Sequence, residues 1–361
     1  MDKSYGNRIK SIDIAKGLGI LIVILGHVLG EEDLFLEMFI FSFHMPLFFI
    51  LSGLVLKFSD EKTIGEILKC ENKLIAAYVF YSLLYIVFNI PINIIGEHEN
   101  WMEVLSKIYQ LLVFYGRGPL WFLPALAIAH TVCRILKKHI YGKLAFVLSG
   151  LILLIVSQIL SVAASLYIKG GFFNVIYYPL AMFLRGSGYT FFVILGAVFK
   201  DSYIKLSQSA DKNHPKELAV CFFMTGMIIV NVLGVFLYDN VKSLADLSRE
   251  DVLFLPLMII LALTGSISVM GVSVLLTKIK TVFKFFAYMG QHSLFIMATH
   301  LQFYVCAVSR RIDILDVNNV IMRFIFVVVA EIILIKILNK PFNKAINAIS
   351  GYLERIIVIR K

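Results

Sequence analysis

The sequence predicts an all-α bundle that crosses a membrane about ten times, and three observations lead there. Apolar runs of about 20 residues, enough to span a hydrocarbon core, recur along the whole chain. Of its 361 residues 59% are hydrophobic and 16% charged, where a soluble domain has about a quarter charged. The basic residues between the runs alternate between dense and sparse from one loop to the next.

The runs fall at 12–30, 38–56, 73–95, 119–136, 144–166, 178–199, 217–238, 252–277, 285–308 and 319–338. With a cytoplasmic N-terminus, the inside segments hold 21 lysines and arginines and the outside segments seven. Cytoplasmic loops carry this excess in membrane proteins, so both termini are expected inside. The same bias absorbs most of the net charge of +10 and leaves nucleic-acid binding little to explain. The four cysteines, Cys70, Cys133, Cys221 and Cys306, are scattered, which predicts neither a disulfide framework nor a metal site. One membrane domain covers 1–361. Within it the polar stretch 201–216, with Pro215, is expected to be a cytoplasmic linker between two five-span halves. The stretch 100–116 is amphipathic and suits the outer interface. The first span contains a histidine and lacks a small-residue cleavage pattern, so it is not read as a signal peptide.

That first span carries Asp13, Lys16 and His27. Ionisable groups inside a span are costly and are functional candidates by default. Eleven residues of α-helix turn through about three turns and rise about 16 Å, so Lys16 and His27 share a face, near one surface and deep respectively. Asp13, three residues before Lys16, joins that face. The plain alternative is that Lys16 snorkels to headgroups and His27 bonds a neighbouring helix. The shared face favours function. A neutral imidazole suits a general base acting on a hydroxyl, and a lysine at the cytoplasmic end suits a phosphate-bearing ligand.

The second span reads FIFSFHMPLFFILSG, with His44 before Met45-Pro46. Proline frees a carbonyl and kinks a helix, so His44 either satisfies that backbone or lines a cavity. Next, GRGPLWFLP (116–124) marks a span that starts late or is broken. Its Trp121 is either an interfacial belt residue or a platform for a sugar ring. Arg185 lies several apolar residues from either end of its span. A guanidinium there needs an anion, a carbonyl or water, which predicts a cavity-facing role. In the last span Arg323 and Glu331 are eight residues apart, nearly on one face. In GQHSLFIMATH, His292 and His300 are also eight apart, on roughly one face of the ninth span. His300 is a second catalytic or orienting group, or an ordinary buried histidine.

Taken in order, these stretches resemble acyltransferase family 3, the integral-membrane O-acyltransferases, and within it the fucose 4-O-acetylase-like members. The matching pieces are R-x4-D-x2-K-G with Lys-x10-His, FHMPLFFILSG, GPLWFLPAL, YTFFVILG and GQHSLFIMATH. They run from Arg8 to His300. The resemblance implies transfer of an acyl group, usually acetyl from cytoplasmic acetyl-CoA, to a hydroxyl of a surface glycan or its lipid-linked precursor. It implies His27 as the essential histidine and Lys16 as the basic member of its motif. The family's basic cluster before the third span appears here as Lys69-Cys70-Glu71-Asn72-Lys73, with lysines for arginine and no proline. Lys73 is kept as a second candidate for the coenzyme's phosphates.

The expected mechanism has acyl-CoA entering from the cytoplasm, its phosphates near Lys16 and Lys73 and its thioester near His27. Asp13 orients or charge-balances Lys16. His44, Trp121, Arg185 and His300 are the candidates for the acceptor. No bound cofactor and no metal are expected, and the partners are acyl-CoA, the glycan or lipid-linked sugar and membrane lipid. The expected location is a bacterial cytoplasmic membrane. The rival reading is a transporter or flippase of a glycan precursor, since buried polar groups and broken spans also line permeation paths. No internal repeat supports that rival.

Overall fold

The computed structural model describes residues 9–30, 33–58, 63–91, 94, 100–211, 214–245, 254–301, 305–306 and 320–359. Among these the chain is helical and contains no strand. In chain order the helices are α1 (Lys10–Leu29), α2 (Leu34–Val55), α3 (Ile64–Lys69), α4 (Asn72–Leu84, continued by a π turn over Tyr85–Asn89), α5 (Trp101–Leu112), α6 (Phe122–His139, entered by a 3-10 turn over Gly118–Trp121), α7 (Lys143–Tyr167), α8 (Asn174–Asp211), α9 (Pro215–Ala245), α10 (Leu255–Leu276), α11 (Lys280–Gln291), α12 (Ser293–Thr299) and α13 (Val320–Ile359).

Eight of these stretches are long and apolar enough to cross a membrane: α1, α2, α4 with its π turn, α6 with its 3-10 turn, α7, α8, α9 and α10. They coincide with the first eight runs read from the sequence. The ninth run is not one helix. It breaks at His292 (φ −105°, ψ 11°), between α11 and α12. His292 and His300 therefore do not share a helical face. The tenth run is the first half of α13, which holds Arg323, Glu331 and Lys336 and continues to Ile359.

The polar stretch after the sixth run is helical through Asp211 and extends α8. Residues 201–211 contain no proline or glycine, so nothing in them stops a helix. Two of its polar side chains point inward to partners, while Asp201, Ser202, Lys205 and Gln208 stay exposed: the Tyr203 hydroxyl lies 3.0 Å from Ser273 Oγ, and Ser207 Oγ donates to Ser11 Oγ at 2.9 Å. Pro215 opens α9, where a missing N–H costs nothing.

The chain divides into two compact units. The first comprises Met1–Val55, Leu195–Ile296 and Ile312–Val328. In it α1 packs on α2, α10 and α11, and α9 packs on α10 and α2. Between helices in lipid, close packing and polar contacts replace the hydrophobic drive. Accordingly Asn231 Nδ2 of α9 donates to the Leu261 carbonyl at 2.6 Å, and Ser268 Oγ of α10 donates to the Thr225 carbonyl at 2.7 Å.

The second unit comprises Leu56–Ile194, Met297–Arg311 and Val329–Lys361. Here α3 and α4 pack on α6, and the Phe80 and Phe342 rings meet edge to face at 4.9 Å. The Tyr78 hydroxyl donates to the Leu111 carbonyl at 2.7 Å and fixes α5 against α4. The amphipathic segment forms α5, which exposes Trp101, Met102, Leu105 and Leu112 and buries Val104 and Leu111.

Candidate active site

The polar face of α1 lies in the first unit. Ile14 and Ala15, on the opposite side of the helix, are fully buried, and so are Ile20 and Ile24, which lie along the stripe of Asp13, Lys16 and His27. Asp13, Lys16 and His27 are half-buried. Two glycines bring α11 into backbone contact with α1. A Cβ on Gly17 would strike the Phe286 carbonyl oxygen, and one on Gly290 would strike the Asp13 carbonyl oxygen. This approach carries Gln291 Nε2 to Asp13 Oδ2, at 3.3 Å. Beside it opens a cavity of about 400 Å³, into which Asp13, Lys16, Gln291 and Ser293 present polar groups between apolar walls from Ile9, Ile12, Val55 and Leu294. One carboxylate, one ammonium, an amide and a hydroxyl thus share a recess with room for a small charged ligand fragment.

Further along α1, His27 lies beside α2. The ring of Phe41 is between two histidines, 5.7 Å from His27 and 5.0 Å from His44, centroid to centroid. Gly26 makes room for this contact, with Ile40 and Phe41 against it. His44 is buried, and its Nδ1 is 3.1 Å from the Ile40 carbonyl. Pro46 leaves the Ser42 carbonyl, four residues earlier, without its helical donor. His44 therefore bonds a different carbonyl from the one proline frees, and α2 continues through Pro46 to Val55. Helical rise separates Lys16 from His27 by about 16 Å along α1.

In the second unit, Arg185 of α8 lies over two aromatic rings. Its guanidinium carbon is 4.9 Å from the Trp121 ring centroid and 5.4 Å from that of Tyr115. Trp121 stacks on Tyr189 at 5.8 Å. Glycines at 116 and 118, with φ +76° and +51°, turn the chain so that Trp121 enters this cluster as α6 begins. A late start to that span is what GRGPLWFLP suggested.

A family model for an acyltransferase domain matches residues 9–339, nearly the whole chain. The chain belongs to acyltransferase family 3. It is a multi-pass membrane acyltransferase. No curated protein and no solved structure matches it.

The remaining candidates of this acyltransferase are in its second unit. Lys73 is exposed near the start of α4. His300 is fully buried just beyond α12, next to Thr299, whose hydroxyl donates to Glu331 Oε2 at 2.8 Å. The sequence reading passed over a further group. Glu71 is 3% exposed, its carboxylate 3.0 Å from His130 Nδ1 and 3.5 Å from Arg134 Nε. Arg134 Nη1 also donates to the Lys57 carbonyl at 2.6 Å. Two signals pointed to it: a lone carboxylate among lysines, and a His-x3-Arg pair, which shares a helix face, in an otherwise apolar stretch.

Proposed function

We propose that this acyltransferase moves an acetyl group from cytoplasmic acetyl-CoA to a hydroxyl of a cell-surface glycan or its lipid-linked precursor, in a bacterial cytoplasmic membrane. The observation that carries the proposal is the cavity at Asp13 and Lys16 on the helix that also holds His27. Loop charge makes that cavity the cytoplasmic end. A coenzyme phosphate is attracted to the Lys16 ammonium, with Asp13 holding Lys16 in place. The rise of about 16 Å to His27 is comparable with an extended pantetheine arm.

At the thioester, His27 accepts the proton of the attacking hydroxyl. The hydroxyl oxygen bonds to the acetyl carbon, the carbon–sulfur bond breaks, and the departing sulfur takes the proton back from His27. Coenzyme A and an acetyl ester are the products. In the second unit, Trp121, Arg185 and His300 serve the acceptor. The test is to incubate the purified chain in nanodiscs with labelled acetyl-CoA and candidate glycans. Stoichiometric coenzyme A release and glycan acetylation, both lost in His27→Ala, support the proposal. Glycan movement across vesicles with no coenzyme A released would support a transporter instead.

A further inference from the structure

Arg185 differs from two other arginines of its unit. Arg117 donates to Gln110 Oε1 at 3.1 Å, and Arg134 has Glu71 and the Lys57 carbonyl. Among the described residues, Arg185 has the faces of Trp121 and Tyr115. Ring faces stabilise the cation. They do not accept its five N–H donors, which lie in the guanidinium plane. The position is also rigid. Next to Arg185, Gly186 brings α8 against Ile128 and the Ala125 carbonyl of α6, with no space for a Cβ. Tyr115 is held in turn by Tyr178, at 4.8 Å between ring centroids.

We infer that Arg185 is an oxyanion receptor, and that the acceptor carries a carboxylate or phosphate. Its guanidinium fork engages that group bidentately, while Trp121 and Tyr115 offer apolar faces to the attached sugar. The inference rests on the proposal that the acceptor is a glycan, and it narrows that class to acidic glycans or phosphate-bearing lipid-linked sugars.

Trp121 makes a test possible without turnover. The chain has two tryptophans, and Trp101 is 74% exposed, so Trp101→Phe leaves Trp121 as the sole reporter. In nanodiscs this variant is titrated with a glucuronate-containing oligosaccharide and with its carboxyl-reduced counterpart. A second arm compares a polyprenyl-diphosphate-linked glucose with an alkyl glucoside. The expected result is a saturable change in Trp121 emission with at least about tenfold tighter binding of the charged member in one arm, the scale of a charge-assisted hydrogen bond. The responding arm identifies carboxylate or phosphate. Arg185→Gln added to this variant should bring the ratio near one. Arg185→Lys, which keeps the charge and loses the fork, should lower it at least about threefold and serves if the glutamine variant does not fold. Equal or absent responses in both arms, or an unchanged ratio in the lysine variant, overturn the inference. A selective response in a protein that acetylates no glycan would leave the receptor standing and overturn the proposed reaction.

Discussion

Gln291 reaches the Asp13 carboxylate, 3.3 Å from Nε2 to Oδ2, because Gly290 lets α11 rest against the Asp13 carbonyl oxygen. Both contacting backbones are helical, so neither yields easily to a new methyl group. Gly290→Ala is expected to destabilise the protein by about 1–3 kcal/mol, the usual cost of overpacking. It should also raise KM for acetyl-CoA, because α11 lines the cavity. Gly226, on α9, has open space where a Cβ would be, and Gly226→Ala is the control. Equal melting temperatures for the Gly290 variant and the control would refute the close packing.

His27 and His44 share Phe41 but differ in setting. His44 is buried and tied to the Ile40 carbonyl, whereas His27 is half-buried. Loss of a general base costs about 10²–10⁴-fold in rate, and that is expected for His27→Ala. For His44→Ala a loss below about tenfold is expected, since a positioned general base contributes more than this. Initial rates of coenzyme A release on matched amounts of folded protein would measure both. A larger loss from His44 than from His27 would reverse their roles.

The spans and the α1 stripe were legible in the sequence because length and helical periodicity are local properties. Asp13 and Lys16 follow from spacing along one helix, and they do line one cavity. Gln291 was not legible as their neighbour, since 278 residues separate it from Asp13 and only the packing of Gly17 and Gly290 joins them. The break at His292 falls in Gly290-Gln291-His292-Ser293, a polar interruption short enough to be read through as part of one span. The polar composition of 201–216 could not show that Ser207 and Tyr203 find hydroxyl partners on other helices.

If Lys16 binds phosphate, its removal should matter only for donors that carry phosphate. Lys16→Ala is expected to lower kcat/KM for acetyl-CoA about tenfold, the scale of one lost charge-assisted hydrogen bond. For S-acetyl-pantetheine, which lacks the phosphates, the fall should be much smaller. The ratio between the two donors is the measurement, and it is insensitive to partial loss of folded protein. An equal fall for both would remove Lys16 from phosphate binding.

Glu71 holds together three segments of the second unit. It lies between α3 and α4, it pairs with His130 and Arg134 of α6, and Arg134 reaches the Lys57 carbonyl. Removing one member of a buried ion pair leaves the other charge uncompensated and costs about 3–5 kcal/mol. Glu71→Ala is therefore expected to be strongly destabilising, and Arg134→Ala nearly as much. Removing both charges also removes the orphan. The double variant should be more stable than the sum of the single losses predicts, by at least about 1 kcal/mol, as coupled neighbours show. Thermal unfolding in one detergent across all four proteins completes the cycle. Strict additivity would mean that the two side chains stabilise the fold independently, and that the 3.5 Å approach of Arg134 to Glu71 contributes nothing.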